Sequence, residues 1–243
     1  MGYVLIVGAK SDIAKALAHE YARQGFDLYL AARYSARLES EALDLRIRYG
    51  VKIAIFELDI TAYEAHASFY EDLEPKPVGV IMVVGYLGNQ AKAESDFSET
   101  LRIIETNYSG CISLLNIIAN DLEQRKTGFI VGISSVAGDR GRKSNYLYGS
   151  AKGAFTIYLS GLRNRLSKPG VHVLTVKPGF VETRMTKGMN LPGRLTSTPA
   201  EVAHDIFAAQ QKRKDVLYTK WFWRFIMLII RHLPESIFKK MNL

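Results

Sequence analysis

Cysteine is nearly missing: Cys111 is the single thiol in 243 residues. One cysteine excludes an internal disulfide and a cysteine-based zinc site, so the fold needs no oxidising compartment. Long apolar runs are missing too, since none approaches the roughly eighteen residues that a bilayer-spanning helix requires. The opening Met1-Gly2-Tyr3-Val4-Leu5-Ile6-Val7-Gly8 has no basic segment ahead of its apolar one and runs straight into a glycine, unlike a secretory leader. A cytoplasmic protein is therefore expected. Acidic residues are scarce in one place. Residues 212–243 carry eight Lys/Arg against Asp215 and Glu235, and so hold six of the chain's eight net positive charges. The rest is close to neutral, which argues against nucleic acid as a partner. A basic tail on a neutral body suits an anionic membrane surface or an acidic partner instead.

What is present is ordinary globular material. Hydrophobic residues make up 48% and charged residues 23%, enough apolar matter for a full core and too little charge for a disordered chain. Short apolar runs at 3–7, 27–32, 51–58, 78–84, 128–133 and 171–176 read as buried strands. Between them, helical spacing covers 13–24, 36–49, 97–121 and 147–166. Strands alternating with helices predict an α/β fold, a doubly wound parallel sheet of the Rossmann kind. Thr198-Pro199-Ala200-Glu201 spells a capping box with proline at the first helical position and opens a helix to about Lys212. Residues 182–197 have weak periodicity and read as a mobile substrate loop. The expected organisation is a single catalytic domain over 1–211 and an amphipathic helical tail over 212–243.

Gly8-Ala9-Lys10-Ser11-Asp12-Ile13-Ala14 lies where the first strand turns into the first helix. Backbone N–H groups and the positive helix end at such a turn suit a dinucleotide pyrophosphate. Gly8 permits the tight turn and Ala14 lets the helix approach the strand. Asp12 stands where a glycine would admit the diphosphate, and an ordinary turn capped by Ser11 or Asp12 is the competing reading. At the end of the second strand, Ala31-Ala32-Arg33 offers no carboxylate for the 2′-hydroxyl of NAD. Arg33, helped by Lys10, suits the 2′-phosphate of NADP instead. Asp59, followed by Ile60 after the third strand, is placed either for the adenine amine or as a turn cap.

Tyr148 and Lys152 are four residues apart on a predicted helix and share a face. Ser134-Ser135 closes the fifth strand upstream. A free phenol titrates near 10, and a neighbouring ammonium is expected to bring it down. A serine hydroxyl can hold a carbonyl oxygen where negative charge develops. The set suits hydride transfer from a nicotinamide with the tyrosine supplying the proton.

Together with the turn at 8–14, the blocks Ile133-Ser134-Ser135-Val136-Ala137-Gly138, Tyr148-Gly149-Ser150-Ala151-Lys152 and Lys177-Pro178-Gly179-Phe180-Val181-Glu182-Thr183 occur in the order and spacing of the short-chain dehydrogenase/reductase family. The chain resembles that family over about 3–210. The resemblance implies Tyr148 as general acid/base. It implies Lys152 as the residue that binds the nicotinamide ribose and lowers the tyrosine pKa. Ser135, thirteen residues before the tyrosine, is implied as the substrate-orienting serine. Asn107 is implied as the holder of a relay water. Pro178, Gly179, Val181 and Thr183 would lie at the nicotinamide end, the last two against its carboxamide. Two departures stand out. Asp12 replaces a glycine. Met82-Val83-Val84-Gly85 replaces an Asn-Asn-Ala-Gly strand end, leaving Gly85 to make the close approach to the cofactor.

The tail segment Lys220-Trp221-Phe222-Trp223-Arg224-Phe225-Ile226-Met227-Leu228-Ile229-Ile230-Arg231 is unlike most of the family. On a helix, Lys220, Arg224 and Arg231 fall within roughly 40° of one another on an otherwise apolar circumference. Such a helix lies in a membrane interface, with contact spread over 220–240, or packs on the body or a second subunit and roofs the cleft, and the two are compatible. The tail resembles that of reductases acting on polyprenyl-phosphate-linked keto-pentoses, which implies a lipid-linked carbonyl substrate at the inner face of a membrane. Taken together, the expectation is an NADPH-dependent reductase or dehydrogenase interconverting a ketone and a secondary alcohol, forming a homo-oligomer and using no metal. The rival reading is an NADP-binding sensor or interaction protein docked through its tail.

Overall fold

A computed structural model describes residues 2–241. The first half runs β1 (Tyr3–Val7), α1 (Asp12–Arg23), β2 (Asp27–Ala32), α2 (Glu39–Tyr49), β3 (Ile53–Glu57), α3 (His66–Glu71) and β4 (Gly79–Met82). The second half runs α4 (Gln90–Ala93), α5 (Phe97–Ile104), α6 (Gly110–Arg125), β5 (Phe129–Ile133), α7 (Tyr146–Ser167), β6 (His172–Lys177), β7 (Phe180–Val181), β8 (Thr196–Ser197), α8 (Pro199–Gln211), β9 (Val216–Tyr218), α9 (Trp223–His232) and α10 (Glu235–Phe238). Seven strands pair in parallel in the order β3-β2-β1-β4-β5-β6-β9. This is the doubly wound α/β sheet expected from the alternating pattern.

The alternation of side chains along a strand builds both layers at once. Val4 and Ile6 of β1 enter the core under α1, α2 and α8, with Leu17, Leu45 and Ile206. Leu5 and Val7 enter the opposite core under α6 and α7, with Leu115, Phe155 and Leu159. Both faces are covered, so the strands read as continuous apolar runs rather than as alternating ones. Local signals set the helix ends. Ser11 accepts from Ala14 N at 3.2 Å and caps α1. At α8 the box closes both ways, with Glu201 N donating to Thr198 Oγ1 (3.2 Å) and Thr198 N donating to Glu201 Oε2 (2.7 Å).

The structure departs from the sequence expectations in four places. The long helix expected over 97–121 is α5 and α6 joined by a π-helical turn at Glu105–Ser109, and it runs on to Arg125. The short helices α3 and α4 were not expected. Inside the tail, Val216–Tyr218 forms β9 and extends the main sheet beside β6, so the sheet does not end at residue 211. Lys220 is not on the tail helix: α9 begins at Trp223, and Lys220, in the left-handed region at φ 53°, donates through Nζ to Thr196 O. That leaves Arg224 and Arg231 as the helix's basic residues from the expected stripe. No helix among the described residues is long and apolar enough to cross a membrane.

Candidate active site

α7 carries Tyr148 and Lys152 and is pressed against the turn that follows β5. A Cβ on Gly149 would come 2.7 Å from Ala137 O, and one on Gly138 would come 2.7 Å from Gly153 N. Only glycines allow that approach, and it sets Tyr148 beside Ser135. The Ser135 hydroxyl, which accepts from Ala137 N (3.1 Å), is near enough to act on the Tyr148 phenol. Ser134 points elsewhere: its Oγ donates to Lys152 O (2.9 Å) and lies 2.7 Å from Thr156 Oγ1. Of the two adjacent serines, Ser135 faces the cleft chemistry and Ser134 braces the helix.

Lys152 Nζ donates to Val84 O and Ile133 O, each at 3.0 Å, and lies 5.9 Å from the Tyr148 ring centroid. Its carbonyl partners end β5 and follow β4, so the ammonium ties α7 to the carboxyl edge of the sheet. Burial lowers its pKa to about 8. Burial pushes the Tyr148 phenol up to about 12, and the Ser135 hydroxyl pulls it partly back. The polypeptide alone thus does not produce the expected depression of the tyrosine pKa. Desolvation outweighs the neighbouring hydroxyl, and Lys152 directs its protons to backbone carbonyls.

Asn107 lies in the π-helical turn and is fully buried. Its Oδ1 accepts from Tyr86 N (3.1 Å), and its Nδ2 donates to Tyr86 O (2.6 Å) and Ile103 O (2.8 Å). A Cβ on Gly85 would sit 3.8 Å from Asn107 Oδ1 and 3.9 Å from Lys152 Nζ. Asn107 therefore clamps the strand end where Gly85 lies, with one Oδ1 lone pair left over.

The nucleotide side opens at the β1/β4 crevice, where the strand order reverses and doubly wound folds bind ligands. Gly8 has φ +83°, and a Cβ there would come 3.0 Å from Val83 C and Val84 N. A cavity of about 210 Å³ extends from Gly8, Lys10 and Ser11 to Arg33, Asp59 and Ile60. Asp59 fills the turn-cap role, accepting from Thr61 N (3.0 Å) and Thr61 Oγ1 (2.8 Å), and its Oδ2 lies 3.8 Å from Arg33 Nη1. Lys10 Nζ stands 4.9 Å from the Tyr34 ring centroid, and the Arg37 guanidinium 5.6 Å from it on the same ring. Burial first, and then Arg37 and Arg33, hold the Lys10 ammonium below its ordinary value. Tyr34 and Arg37 escaped the sequence reading because they follow the strand end rather than close it. A glycine cradle at the turn, with Lys10 and Arg33 lining the cavity and Arg37 beside Tyr34, fits a dinucleotide with an additional phosphate.

Asp12 does not stand bare at the diphosphate position. Its Oδ2 accepts from Arg184 N (2.7 Å) and its Oδ1 from Arg184 Nε (2.9 Å), while Arg184 Nη2 donates to Lys10 O. This ties the loop after β7 to the cofactor turn. Val181 and Thr183, with Pro178 and Gly179, line a second cavity of about 380 Å³ that also holds Ser135, Tyr148 and Lys152. α9 backs its wall. Trp223 packs edge-on against Phe180 at 5.6 Å and donates from Nε1 to Leu195 O (3.1 Å). A Cβ on Gly179 would fall 2.0 Å from that same nitrogen. Among the described residues no group of three or more His, Cys, Asp or Glu is placed to hold a metal ion.

The short chain dehydrogenase family profile matches residues 2–192. The chain belongs to the short-chain dehydrogenase family. An uncharacterized oxidoreductase of Mycobacterium tuberculosis is 36% identical over 241 residues, covering 98% of this chain and 96% of the relative. Among solved structures, a short-chain dehydrogenase from Sphingobium yanoikuyae in complex with NADPH superposes with a TM-score of 0.84 at 24% identity, over 97% of this chain and 98% of that one. The bulky-bulky ketone specific alcohol dehydrogenase from Comamonas testosteroni superposes at 0.82 and 22% identity, over 97% and 96%. Against this family, the departure at 12 has a local explanation, since Arg184 neutralises Asp12; nothing in the structure explains the side chains at 82–84, whose Val84 carbonyl would accept from Lys152 whatever residue stood there.

Proposed function

We propose that the protein is an NADPH-dependent reductase that interconverts a ketone and a secondary alcohol. The observation that carries this reading is the Tyr148–Ser135 hydroxyl pair in a cleft that adjoins the dinucleotide cavity, with Lys152 one helical turn away. Bound NADPH would supply the hydride. Ser135 donates a hydrogen bond to the carbonyl oxygen and fixes where negative charge develops. Tyr148, with a pKa of about 12, is protonated at neutral pH and holds its proton ready for that oxygen as it becomes an alkoxide. Lys152 holds the strand ends in place and offers its remaining proton to the ribose side. The NADPH complex of the Sphingobium protein and the ketone specificity named for the Comamonas enzyme support the cofactor and the substrate class. Lys10, Arg33 and Arg37 support NADPH over NADH.

The test is Tyr148→Phe. Binding of NADPH, read by fluorescence, should persist while ketone-dependent NADPH consumption falls by at least about 10³-fold, the upper part of the range for a positioned acid. Near-normal consumption sinks the mechanism. The sensor reading rests on Asp12 and on the unusual tail; Arg184 matches the charge of Asp12, and a panel of ketones under NADPH oxidation separates the two readings, since a sensor binds NADPH without consuming it.

Two narrower proposals concern surroundings. Phe97 and Leu101 on α5 and Ile157 on α7 are exposed apolar residues and support a homo-oligomer through that face. Trp221, Phe225, Leu228 and Ile229 are exposed beside Arg224 and Arg231, which supports contact with an anionic membrane surface and, with it, a lipid-borne carbonyl.

A further inference from the structure

The loop between β5 and α7 carries two arginines with opposite fates. Arg140 is saturated. It donates to Ile230 O and Leu233 O at the end of α9, pairs with Glu235 Oε2 (2.8 Å), and lies 3.7 Å from the Phe238 ring centroid. Arg142 lines the cleft with Tyr148 and Ser135, yet its Nε is buried with no hydrogen-bond partner. Its Nη2 meets only the thioether of Met227 at 3.6 Å, among the described residues. Asn145 lines the same cleft, and its Oδ1 is likewise buried and unpartnered.

The nearest acid is engaged elsewhere. Asp139 takes the Lys177 ammonium (2.5 Å) and the Tyr218 hydroxyl (2.8 Å). Asp12, at the other end of the cleft, is held by Arg184. The remaining walls are largely apolar, with Leu87, Val136, Phe180, Met185 and Met189. Burial holds the Arg142 guanidinium below its ordinary pKa, with Asp139 acting weakly the other way. A fold does not need this. A leucine or methionine would suit such walls better, whereas a forked donor set without an acceptor is a standing cost. Buried unsatisfied polar atoms in a native site mark the place of a missing partner.

We infer that Arg142, assisted by Asn145, is the recognition point for an anionic group, a carboxylate or a phosphate, on an otherwise apolar carbonyl substrate. This deepens the reductase reading and rests on it for the carbonyl. Guanidinium Nε and Nη groups match the two oxygens of either anion in a fork. Asn145 Oδ1 would accept from a hydroxyl beside the anion. Arg142 and Asn145 stand six and three residues before Tyr148 and line the same cleft, so the anion and the reacting carbonyl share one cavity. The N-terminal end of the long helix α7 adds positive potential at the same place.

The experiment measures binding apart from turnover. Titration calorimetry on the full chain, with and without NADP⁺, compares 4-phenylbutyrate, phenyl phosphate and the neutral 4-phenylbutan-2-ol. At least one anion should bind tenfold or more tighter than the alcohol, and the two anions tell carboxylate from phosphate. Arg142→Met should erase that preference and Arg142→Lys should restore part of it. Arg142→Gln serves if the methionine variant does not fold. Equal binding of all three compounds overturns the inference, as does a preference that survives Arg142→Met. Failure of the reductase reading shows elsewhere, in undiminished NADPH consumption by Tyr148→Phe.

Discussion

Lys152 gives the sharpest quantitative test of the site. Its ammonium has a pKa of about 8, against 10.5 for an ordinary lysine, because burial disfavours the charged form. The difference corresponds to about 3 kcal/mol of preference for the neutral amine in the folded state. Between pH 8 and 10.5 the unfolded chain holds this proton and the folded chain does not, so stability rises with pH. Below pH 8 both forms are protonated and the full penalty is present; above 10.5 it is gone. The perturbation is Lys152→Met, and the quantity is the stability difference between wild type and variant. The bonds to Val84 O and Ile133 O enter that difference as a constant, since the neutral amine can still donate them. The pH-dependent part should favour the wild type by about 2.5 kcal/mol between pH 7 and pH 10. Urea unfolding at fixed protein concentration, repeated at four pH values across that interval, reads it. A difference that stays flat to within about 0.5 kcal/mol would mean that the folded chain leaves Lys152 near its ordinary value, against the burial argument.

The other predictions address cofactor, packing and surface. Replacing both Arg33 and Arg37 with alanine should raise the KM for NADPH by about tenfold to a hundredfold, the scale of one or two lost charge-assisted bonds, and leave NADH nearly unaffected; an equal effect on both cofactors refutes the 2′-phosphate assignment. Gly149→Ala should cost about 1–3 kcal/mol, because its Cβ meets the backbone at Ala137 O rather than a side chain that can swing aside. The same variant should lower kcat by moving α7, and unchanged melting and turnover together would count against the close approach. Anionic liposomes should sediment the full chain more than a variant with Trp221, Phe225 and Ile229 changed to serine, and equal sedimentation would leave the exposed face of α9 without a membrane role.

The fold was legible because its signals are local. Six of the seven main-sheet strands are runs bounded by glycine, proline or charge, and the Thr198–Glu201 box forms as spelled. β9 was missed because three residues, Val216-Leu217-Tyr218, sit among lysines and arginines and are recruited by the open edge of β6, which no local pattern reports. α3 was missed because Tyr63–Glu71 mixes His, Ser and Glu and gains its helicity from Phe69 and Tyr70 packing beneath α6. The π-helical turn at 105–109 breaks no periodicity that a reader could see, yet it lies where Asn107 braces the strand end. Among site residues, Tyr148 and Lys152 were readable as a pair sharing a helix face, a common pattern that became specific only with the family resemblance, which also singled out Ser135 from Ser134. Arg37, Arg142, Asn145 and Arg184 were not readable, since what distinguishes each is the partner it has or lacks in three dimensions.

Asp12 shows how a departure from a family pattern is absorbed. A carboxylate at the mouth of a pyrophosphate turn repels its ligand unless a cation is near. The neutralising cation comes from 172 residues away, at the root of the loop after β7. Arg184 bonds with its backbone N as well as its side chain, so the pair fixes the loop's position and not merely its charge. The side chains are 66% and 26% exposed, and a pair of that exposure contributes no more than about 1 kcal/mol. Its worth is therefore geometric: it holds the start of the loop against the turn that carries Ser11 and Asp12. The residue that weakened the nucleotide signature in the sequence thus joins the two halves of the site.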